Sequence, residues 1–483
     1  MPHLYRFPGF LLSVVVAAAA TACGGGSGGS GGGDQPAPVP EGVQVLLQDG
    51  ATLPGGFLVE TIESAKLAAD RSVALIASKS GIDPENGVFV RASDGQVRAV
   101  LTPNVGDSGG LPLTVVRNLL MASTGEVGFE VGDQLDADSF YVFDGEVLHQ
   151  VAHTAEGGTP AGFRVLGEAR LGAGGTVAFS QGASPCEIDQ STGTERITCA
   201  LSIQTGEPLV IAPVQVPNTL AVQKPNSILL QVNAGQAFAV GLPARGVDPF
   251  VGLLSAGHFT ALLTRHQVIP ELGMVLSAKP RAISNSEAIA VDATFDSTGD
   301  EERDSTKVLL LEAAGGIQVV AEDGGSFEGT SITDLRARDI DDANRVLLSF
   351  AFGDAAERTA IQLWRDGSLA PVAHEGLPFG EDEQGKVVRI LEIDQMRIVS
   401  STGDVIFVAL VGRVEEGTRR ISYSALMRWR DGDLEKIVQT KTSIPGGTLV
   451  GFSIADINPA GDILLMGEID RRANRALVLL PAD

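Results

Sequence analysis

The segment Val43-Gln44-Val45-Leu46-Leu47-Gln48, followed by Pro54-Gly55-Gly56, recurs near the other end of the chain. It matches Leu434-Glu435-Lys436-Ile437-Val438-Gln439, followed by Pro445-Gly446-Gly447, at a constant offset. The later copy closes a repeating unit, whereas the final unit, ending at 476–480, lacks this strand. The chain therefore begins with the strand that its last unit is missing. Such an arrangement locks a ring of sheets together, whereas an open stack gains nothing from it.

Between these ends, a turn followed by an apolar run recurs eight times, with 50 to 60 residues between successive copies. The third residues of these copies are Val73, Val127, Val177, Ala237, Ala288, Val346, Val405 and Ile463. Short β-rich runs separated by Gly, Asp, Asn and Ser are typical of an all-β protein. Repetition with this period predicts propeller blades.

A second element, a strand followed by a two-residue turn and another strand, follows the first in seven of the units. Its turns are Asp94-Gly95, Asp144-Gly145, Thr205-Gly206, Ala256-Gly257, Gly315-Gly316, Asp366-Gly367 and Asp431-Gly432. Asp-Gly favours a tight hairpin in which both central residues have positive φ. We therefore predict an all-β fold, a single β-propeller of eight four-stranded blades over residues 42–483, closed by pairing of the terminal strands. Seven blades or two propellers stay open alternatives, because residues 214–229 align poorly.

Two of the repeats carry a fuller motif, Asn233-Ala234-Gly235-Gln236-Ala237-Phe238 and Asn458-Pro459-Ala460-Gly461-Asp462-Ile463. They resemble the Asn-x-x-Gly-x-Val-Ala-Phe repeats of bacterial secreted and surface-anchored tandem-repeat proteins. The resemblance covers most of residues 43–483 through short, degenerate motifs. It implies a propeller-like architecture and a location in the cell envelope, and it names no ligand.

The N-terminus is predicted to direct export. Arg6 precedes an apolar run from Phe10 to Ala20, which is too short to span a bilayer. The run ends in Ala20-Thr21-Ala22-Cys23. This resembles the bacterial lipobox, with Ala20 where the family prefers Leu, and the resemblance implies that Cys23 is the lipid-attachment residue.

A Gly/Ser/Pro-rich segment follows the cysteine, as expected for a tether between a lipid anchor and a folded domain. The predicted organisation is a signal peptide over residues 1–22, a lipidated tether over 23–41 and the propeller beyond it. An ordinary signal peptide with a chance cysteine is the alternative. In Gram-negative lipoproteins, which this N-terminus resembles, the residue after the cysteine can carry an inner-membrane retention signal. Gly24 is not such a signal, so the resemblance favours an outer-membrane lipoprotein.

Composition limits the possible partners. A net charge of −25 at pH 7 disfavours binding to nucleic acid. The expected partners are the membrane, through the lipid anchor, and an unknown protein or small ligand. The protein is expected to be a monomer. Cys186 and Cys199 are the other two cysteines, and in an oxidising compartment they are expected to form a disulfide. Two free thiols are the alternative.

Several motifs resemble catalytic or metal sites but lack the rest of the chemistry. Gly106-Asp107-Ser108-Gly109-Gly110 resembles a serine-protease nucleophile motif, but only His3, in the signal, precedes it. Residues 380–387 lack the Ser or Thr that a phosphate-binding loop places after its lysine. The five later histidines, which are interpreted as surface or turn residues, are His149, His153, His258, His266 and His374. No catalytic residue, metal site or cofactor is predicted, with calcium in an acidic loop as the open alternative.

The predicted function is non-enzymatic: an anchored propeller that presents one face for binding or scaffolding. The long insertions at 184–198 and 296–307 are the candidate ligand loops. The alternative is a lyase or hydrolase with its site in the central channel. That alternative needs polar residues on several inner strands, whereas the inner strands are expected to be apolar. A sensor or assembly module is a third class.

Overall fold

The computed structural model describes residues 41–79, 85–102, 115–132, 137–153, 165–182, 187–189, 196–205, 207–216, 229–233, 237–241, 250–255, 258–264, 266–300, 302–353, 358–381, 384–415, 418–470 and 474–482. Residues 37–483 form one compact unit. Its described secondary structure is β-strand apart from two single turns of 3-10 helix, Pro54–Gly56 and Ala173–Gly175. No helix among these residues is long and apolar enough to cross a membrane.

The first half of the chain begins with β1 (Gln44–Gln48) and a short hairpin, β2 (Thr52–Leu53) and β3 (Phe57–Leu58). Sheet I comprises β4 (Thr61–Leu67), β5 (Val73–Lys79), β6 (Glu85–Arg91) and β7 (Val97–Leu101). Sheet II comprises β8 (Val115–Met121), β9 (Val127–Gly132), β10 (Ala137–Phe143) and β11 (Leu148–His153). Sheet III comprises β12 (Val165–Leu171), β13 (Val177–Gly182), β14 (Glu187–Asp189), β15 (Arg196–Thr205) and β16 (Glu207–Val216). Sheet IV comprises β17 (Leu229–Val232), β18 (Phe238–Gly241), β19 (Phe250–Ser255) and β20 (His258–Thr264).

The second half repeats the pattern with an extra short strand in each sheet. Sheet V comprises β21 (Val268–Ile269), β22 (Gly273–Ile283), β23 (Ile289–Asp296), β24 (Ser305–Leu311) and β25 (Ile317–Glu322). Sheet VI comprises β26 (Ser326–Phe327), β27 (Thr330–Ile340), β28 (Val346–Phe352), β29 (Arg358–Arg365) and β30 (Ser368–His374). Sheet VII comprises β31 (Pro378–Glu381), β32 (Val387–Ile398), β33 (Val405–Glu415), β34 (Thr418–Arg430) and β35 (Asp433–Gln439). Sheet VIII comprises β36 (Ser443–Ile444), β37 (Gly447–Ile457), β38 (Ile463–Ile469), β39 (Arg475–Leu480) and, from the other terminus, β1.

The two ends of the folded chain share sheet VIII. Strand β1 pairs antiparallel with β39, with Gln44 opposite Leu479 and Gln48 opposite Ala476. The core continues across the junction, because Leu464 and Leu477 of sheet VIII pack with Ile62 and Leu75 of sheet I. The predicted pairing of the terminal strands is therefore confirmed.

The fold is a single all-β propeller. One strand of each sheet contacts its counterpart in both neighbouring sheets around the ring, which only strands next to a central axis can do; these strands are β4, β8, β12, β17, β22, β27, β32 and β37. We call them the inner strands. The expectation of eight four-stranded blades was not met as stated. Several sheets have five strands instead of four. Eight sheets of four or more strands are hydrogen-bonded among the described residues, whereas the propeller blades number seven when they are counted as blades.

The turn found eight times in the sequence joins each inner strand to the second strand of its sheet. The N–H of its first residue donates to a carbonyl four residues later (five in the longest copy): Ala68 to Ser72, Ala122 to Glu126, Gly172 to Thr176, Asn233 to Ala237, Ser284 to Ala288, Asp341 to Arg345, Val399 to Asp404 and Asn458 to Asp462. The repeated apolar runs are therefore the second strands, such as β5, β28 and β33, which are buried between sheets. We call the side of the ring with these turns the turn face, and the opposite side the loop face.

The Asp-Gly hairpins follow the predicted geometry only in part. Asp366 and Asp431 have φ of 49° and 49°, and the glycines after them are also positive, as expected. At Asp94-Gly95 and Asp144-Gly145 only the glycine has positive φ. There the aspartate side chain accepts the N–H of the residue two positions later, at 2.9 Å and 2.8 Å. This local bond favours a different turn with the same sequence.

Candidate functional site

The asparagine of the repeat motif binds one sheet to the next. The side-chain amide of Asn458 donates to the carbonyl of Ala68 at 3.1 Å, and that of Asn233 donates to the carbonyl of Ser284 at 3.1 Å. Each asparagine also accepts an N–H within its own turn. The motif residue that carries the family resemblance therefore has a structural role on the turn face.

The inner strands are charged, contrary to the expectation that they would be apolar. They contain nine Lys or Arg, namely Lys66, Arg117, Arg170, Lys279, Arg281, Arg336, Arg338, Arg389 and Arg397. Against these stand seven Asp or Glu, namely Glu63, Glu168, Asp334, Asp339, Glu392, Asp394 and Asp456. The chain as a whole has 35 basic and 60 acidic residues, so the balance is reversed next to the axis. The expectation failed because the apolar repeats belong to the second strands.

Carboxylates near the axis join consecutive sheets. Asp456 accepts the N–H of Leu67 at 3.0 Å, and Asp339 accepts the N–H of Ile398 at 3.1 Å. These two aspartates occupy the same position, two residues before the first residue of the turn. Asp292, on β23, accepts the N–H of Ala337 in the next sheet at 2.8 Å. Bonds from a backbone N–H to a carboxylate therefore tie three junctions of the ring, two of them at the same repeat position.

Burial raises the pKa of Asp292, and the charges of Arg281 and Arg336 and the N–H of Ala337 offset only part of this effect. Burial likewise raises the pKa of Asp339, against the charge of Arg397 and two backbone N–H donors. Raised carboxyl pKa values accompany both catalytic acids and structural groups. Here each of the two oxygens of Asp339 accepts a backbone N–H, from Ile340 and from Ile398. This geometry suits a group that holds two sheets together.

A cavity of about 250 Å³ lies between sheets V and VI, on the loop-face half of the inner strands. Its lining residues are Ser277, Lys279, Arg281, Asp292, Thr294, Arg303, Thr306, Asp334, Leu335 and Arg336. Four of these side chains are cationic and two are anionic. Arg303 and Thr306 come from the insertion at 296–307, so this predicted ligand loop borders the cavity.

The anionic side chains of this cavity are both paired. Asp292 accepts from Arg281 Nε at 2.6 Å, and Asp334 accepts from Arg336 at 2.7 Å. Arg338 lies close by and donates to Ser349 Oγ at 2.6 Å. Its side chain keeps accessible surface, yet burial, followed by the charges of Arg336 and Arg281, lowers its pKa. Arg338 therefore lies at the edge of the cationic cluster, with part of its side chain in contact with solvent.

A second cavity, of about 350 Å³, lies on the turn face between sheets VII and VIII and includes Glu41, Asp404, Arg430 and Ala482 in its wall. Three acidic residues (Glu41, Asp404 and Glu435) and three basic residues (Arg428, Arg430 and Lys436) line it. Arg430 donates to both oxygens of Asp404, and Arg428 pairs with Glu435. This cavity therefore has a balanced wall, whereas the loop-face cavity has an excess of cations.

Most of the other predicted site residues lie outside the part of the chain that the structure describes. Cys23, Cys186 and the motif at 106–110 lie outside the described residues, and Cys199 lies in β15 with its side chain outside them, so lipidation and the disulfide stay predictions. His149 contacts Asp144 at 2.8 Å. Hydrogen bonds from Val147, His149 and Glu146 lower the pKa of Asp144 to about 2.

Among the described residues no group of three or more His, Cys, Asp or Glu side chains could hold a metal ion.

Comparison with known proteins adds no family. No protein-family model matches the chain, and no curated protein matches it. Solved propellers are similar at low identity. The β-propeller domain of the Trilobed protease from Pyrococcus furiosus is 11% identical, with TM-score 0.38, over 79% of this chain and 98% of that one. Sqt1 of Chaetomium thermophilum is 12% identical, with TM-score 0.40, over 90% and 97%.

Part of an enzyme is also similar in structure. Uncomplexed acylaminoacyl peptidase of Pyrococcus horikoshii is 12% identical, with TM-score 0.38, over 86% of this chain. This chain spans 58% of the length of that one. At such TM-scores these similarities carry no argument about function.

Proposed function

We propose that this protein is a lipid-anchored, non-enzymatic propeller of the bacterial envelope, which presents its loop face for ligand binding. The observation that carries the non-enzymatic part is the use of the inner-strand carboxylates. Asp339 and Asp456 accept backbone N–H groups of the next sheet, so these oxygens are engaged in holding the ring. Rigid blades of this kind fix the positions of exposed loops, and loops can vary without disturbing the fold.

The position of the N-terminal strand supports the choice of face. Strand β1 begins beside the end of β39, and Glu41 borders the turn-face cavity. A tether attached here would leave from the turn face. Its residues 23–41 would reach on the order of 25 Å as a flexible chain. The loop face, with its cationic cavity, would then point away from an outer membrane that holds the acyl chains.

The anchor predicts a cellular distribution. We expect Cys23→Ala to move the protein from the membrane fraction to the soluble fraction, because stable anchoring requires the acyl chains. Fractionation of cells followed by immunodetection measures this. Ser27→Ala, in the predicted tether, is the matched control and should leave the distribution unchanged. A Cys23→Ala protein that stays with the membrane to the same extent would show that the anchor proposal is wrong.

One observation favours an enzyme as the second candidate. The inner strands are charged, and Asp292 beside the loop-face cavity has a raised pKa, caused first by burial. A general acid needs a proton near neutral pH and access to substrate. Asp292, however, is bonded through one oxygen to Arg281 and through the other to the N–H of Ala337. These bonds favour the non-enzymatic proposal.

For the architecture we propose eight blades. The cycle of inner-strand contacts from β4 to β37 and back supports this number. We expect averaged electron-microscopy views along the ring axis to show eight blades of roughly equal width. Seven blades in these views would refute the proposal and place two of the hydrogen-bonded sheets in one blade.

A further inference from the structure

The loop-face cavity between sheets V and VI has the chemistry of an anion site. We propose that it binds a small compound through a carboxylate or phosphate group. This inference rests on the proposed binding function and names its ligand class.

The excess of cations carries the proposal. Lys279, Arg281, Arg303 and Arg336 line the cavity together with only two acidic residues, Asp292 and Asp334. Like charges in a confined space repel one another, and an anion placed among them relieves this repulsion. The same repulsion is felt by Arg338, which lies within the influence of both Arg281 and Arg336. In a chain of net charge −25, such a concentration of cations needs a reason.

Structural pairing explains only part of this set. Arg281 holds Asp292, which in turn binds the next sheet, and Arg336 holds Asp334. Lys279 is exposed and makes no hydrogen bond or ion pair with the described residues. Arg303 lies 3.6 Å from Asp323, beyond ordinary hydrogen-bonding distance for these atoms. Two cations therefore line the cavity without a strong structural partner.

The cavity wall also offers hydroxyl groups. Ser277 and Thr294 lie 2.6 Å apart through their side-chain oxygens. The buried hydroxyl of Thr306 has no hydrogen-bond partner among the described residues. A polar group left unpaired in the wall costs stability in the empty protein. Polar donors of this kind commonly orient an anion that cations attract.

Size and charge select the ligand class. Pockets for drug-sized ligands have about 300–1,000 Å³, and this cavity has about 250 Å³. Guanidinium groups match the geometry of carboxylate and phosphate, and an ammonium group adds a point charge. The fitting ligands are therefore compounds of a few heavy atoms with one or two such groups.

The test is calorimetric titration of the full-length protein in detergent with inorganic phosphate, with succinate and with glucose. We expect phosphate or succinate to bind and the neutral glucose not to bind; the better of the two anions identifies the preferred group. Lys279→Gln should weaken that binding about tenfold, because one charge-assisted bond is lost. Its exposed, unpartnered side chain makes this variant suitable, since folding does not depend on it.

Lys386→Gln is the matched control, because it removes one exposed cation from sheet VII, away from the cavity, and should leave the affinity unchanged. Arg303→Gln is the second variant and should weaken binding as Lys279→Gln does. Absence of binding by both anions would overturn the proposal, as would binding that Lys279→Gln and Arg303→Gln leave unaltered. Failure here would leave the Cys23→Ala fractionation result unaffected, so the two proposals can fail separately.

Discussion

Deletion of residues 43–49 is expected to abolish the cooperative thermal transition of the protein and to cause aggregation. The deletion removes β1, so β39 loses its hydrogen-bonded neighbour and becomes an exposed edge. It also removes Val43, Leu46 and Leu47 from the apolar clusters of sheet VIII and its junction with sheet I. Val43 is buried and the two leucines are partly buried, so these side chains together contribute about 3–5 kcal/mol. That is comparable with the entire stability of many domains, about 5–15 kcal/mol.

Circular dichroism during heating and size-exclusion chromatography measure these effects. Deletion of residues 24–33, within the predicted tether, is the control and should leave the melting curve unchanged. A protein without 43–49 that melts like the intact chain would contradict the closed ring, because the terminal strand would then contribute nothing.

Asp462→Ala is expected to destabilise the protein by about 2–3 kcal/mol, because it leaves buried partners without bonds at the ring junction. Asp462 is only 1% exposed. It accepts two bonds from Arg71 of sheet I, both at 2.9 Å, one from the N–H of Ala482 at 2.8 Å and one from Asn458. Because the Arg71 side chain is half exposed, the loss should lie below that of a fully buried ion pair.

The pH dependence follows from the pKa of Asp462. Burial alone would raise this pKa, but the hydrogen bonds from Arg71, Ala482 and Asn458 together lower it below the usual value. A carboxyl with a lowered folded-state pKa stabilises the fold above its unfolded pKa and loses this contribution as pH falls through the folded one. Denaturant unfolding at pH 7 and at pH 3 should therefore show a smaller difference between wild type and Asp462→Ala in acid.

Asp433→Ala serves as the control, because Asp433 is exposed at the start of β35. Its unfolding free energy should stay within about 0.5 kcal/mol of the wild-type value. Equal unfolding free energies for Asp462→Ala and the wild type at pH 7 would mean that the junction between sheets VIII and I does not depend on this carboxylate.

Local patterns predicted the β-strands, the repeated turn and the junction of the termini. Turn residues and alternating apolar runs act over a few positions, and the match between 43–48 and 434–439 is visible without coordinates. Trp364 and Trp429 occupy equivalent positions before their hairpin turns, and both are buried in clusters shared by two sheets. The number of blades was harder to predict from the sequence, because degenerate segments such as residues 214–229 show no clear repeat pattern.

A repetitive β ring closed by its own ends could thus be predicted from the amino acids alone, because strand period, turn chemistry and the match between the two ends are local or self-matching properties. The packing of the sheets was needed to show which strand of each unit lies at the axis, and it revealed charged inner strands where apolar ones were expected. It also brought Lys279, Arg303 and Arg336 to one cavity, although they come from two sheets and a loop. Sequence patterns do not encode such convergence, because it depends on how neighbouring sheets pack around the ring.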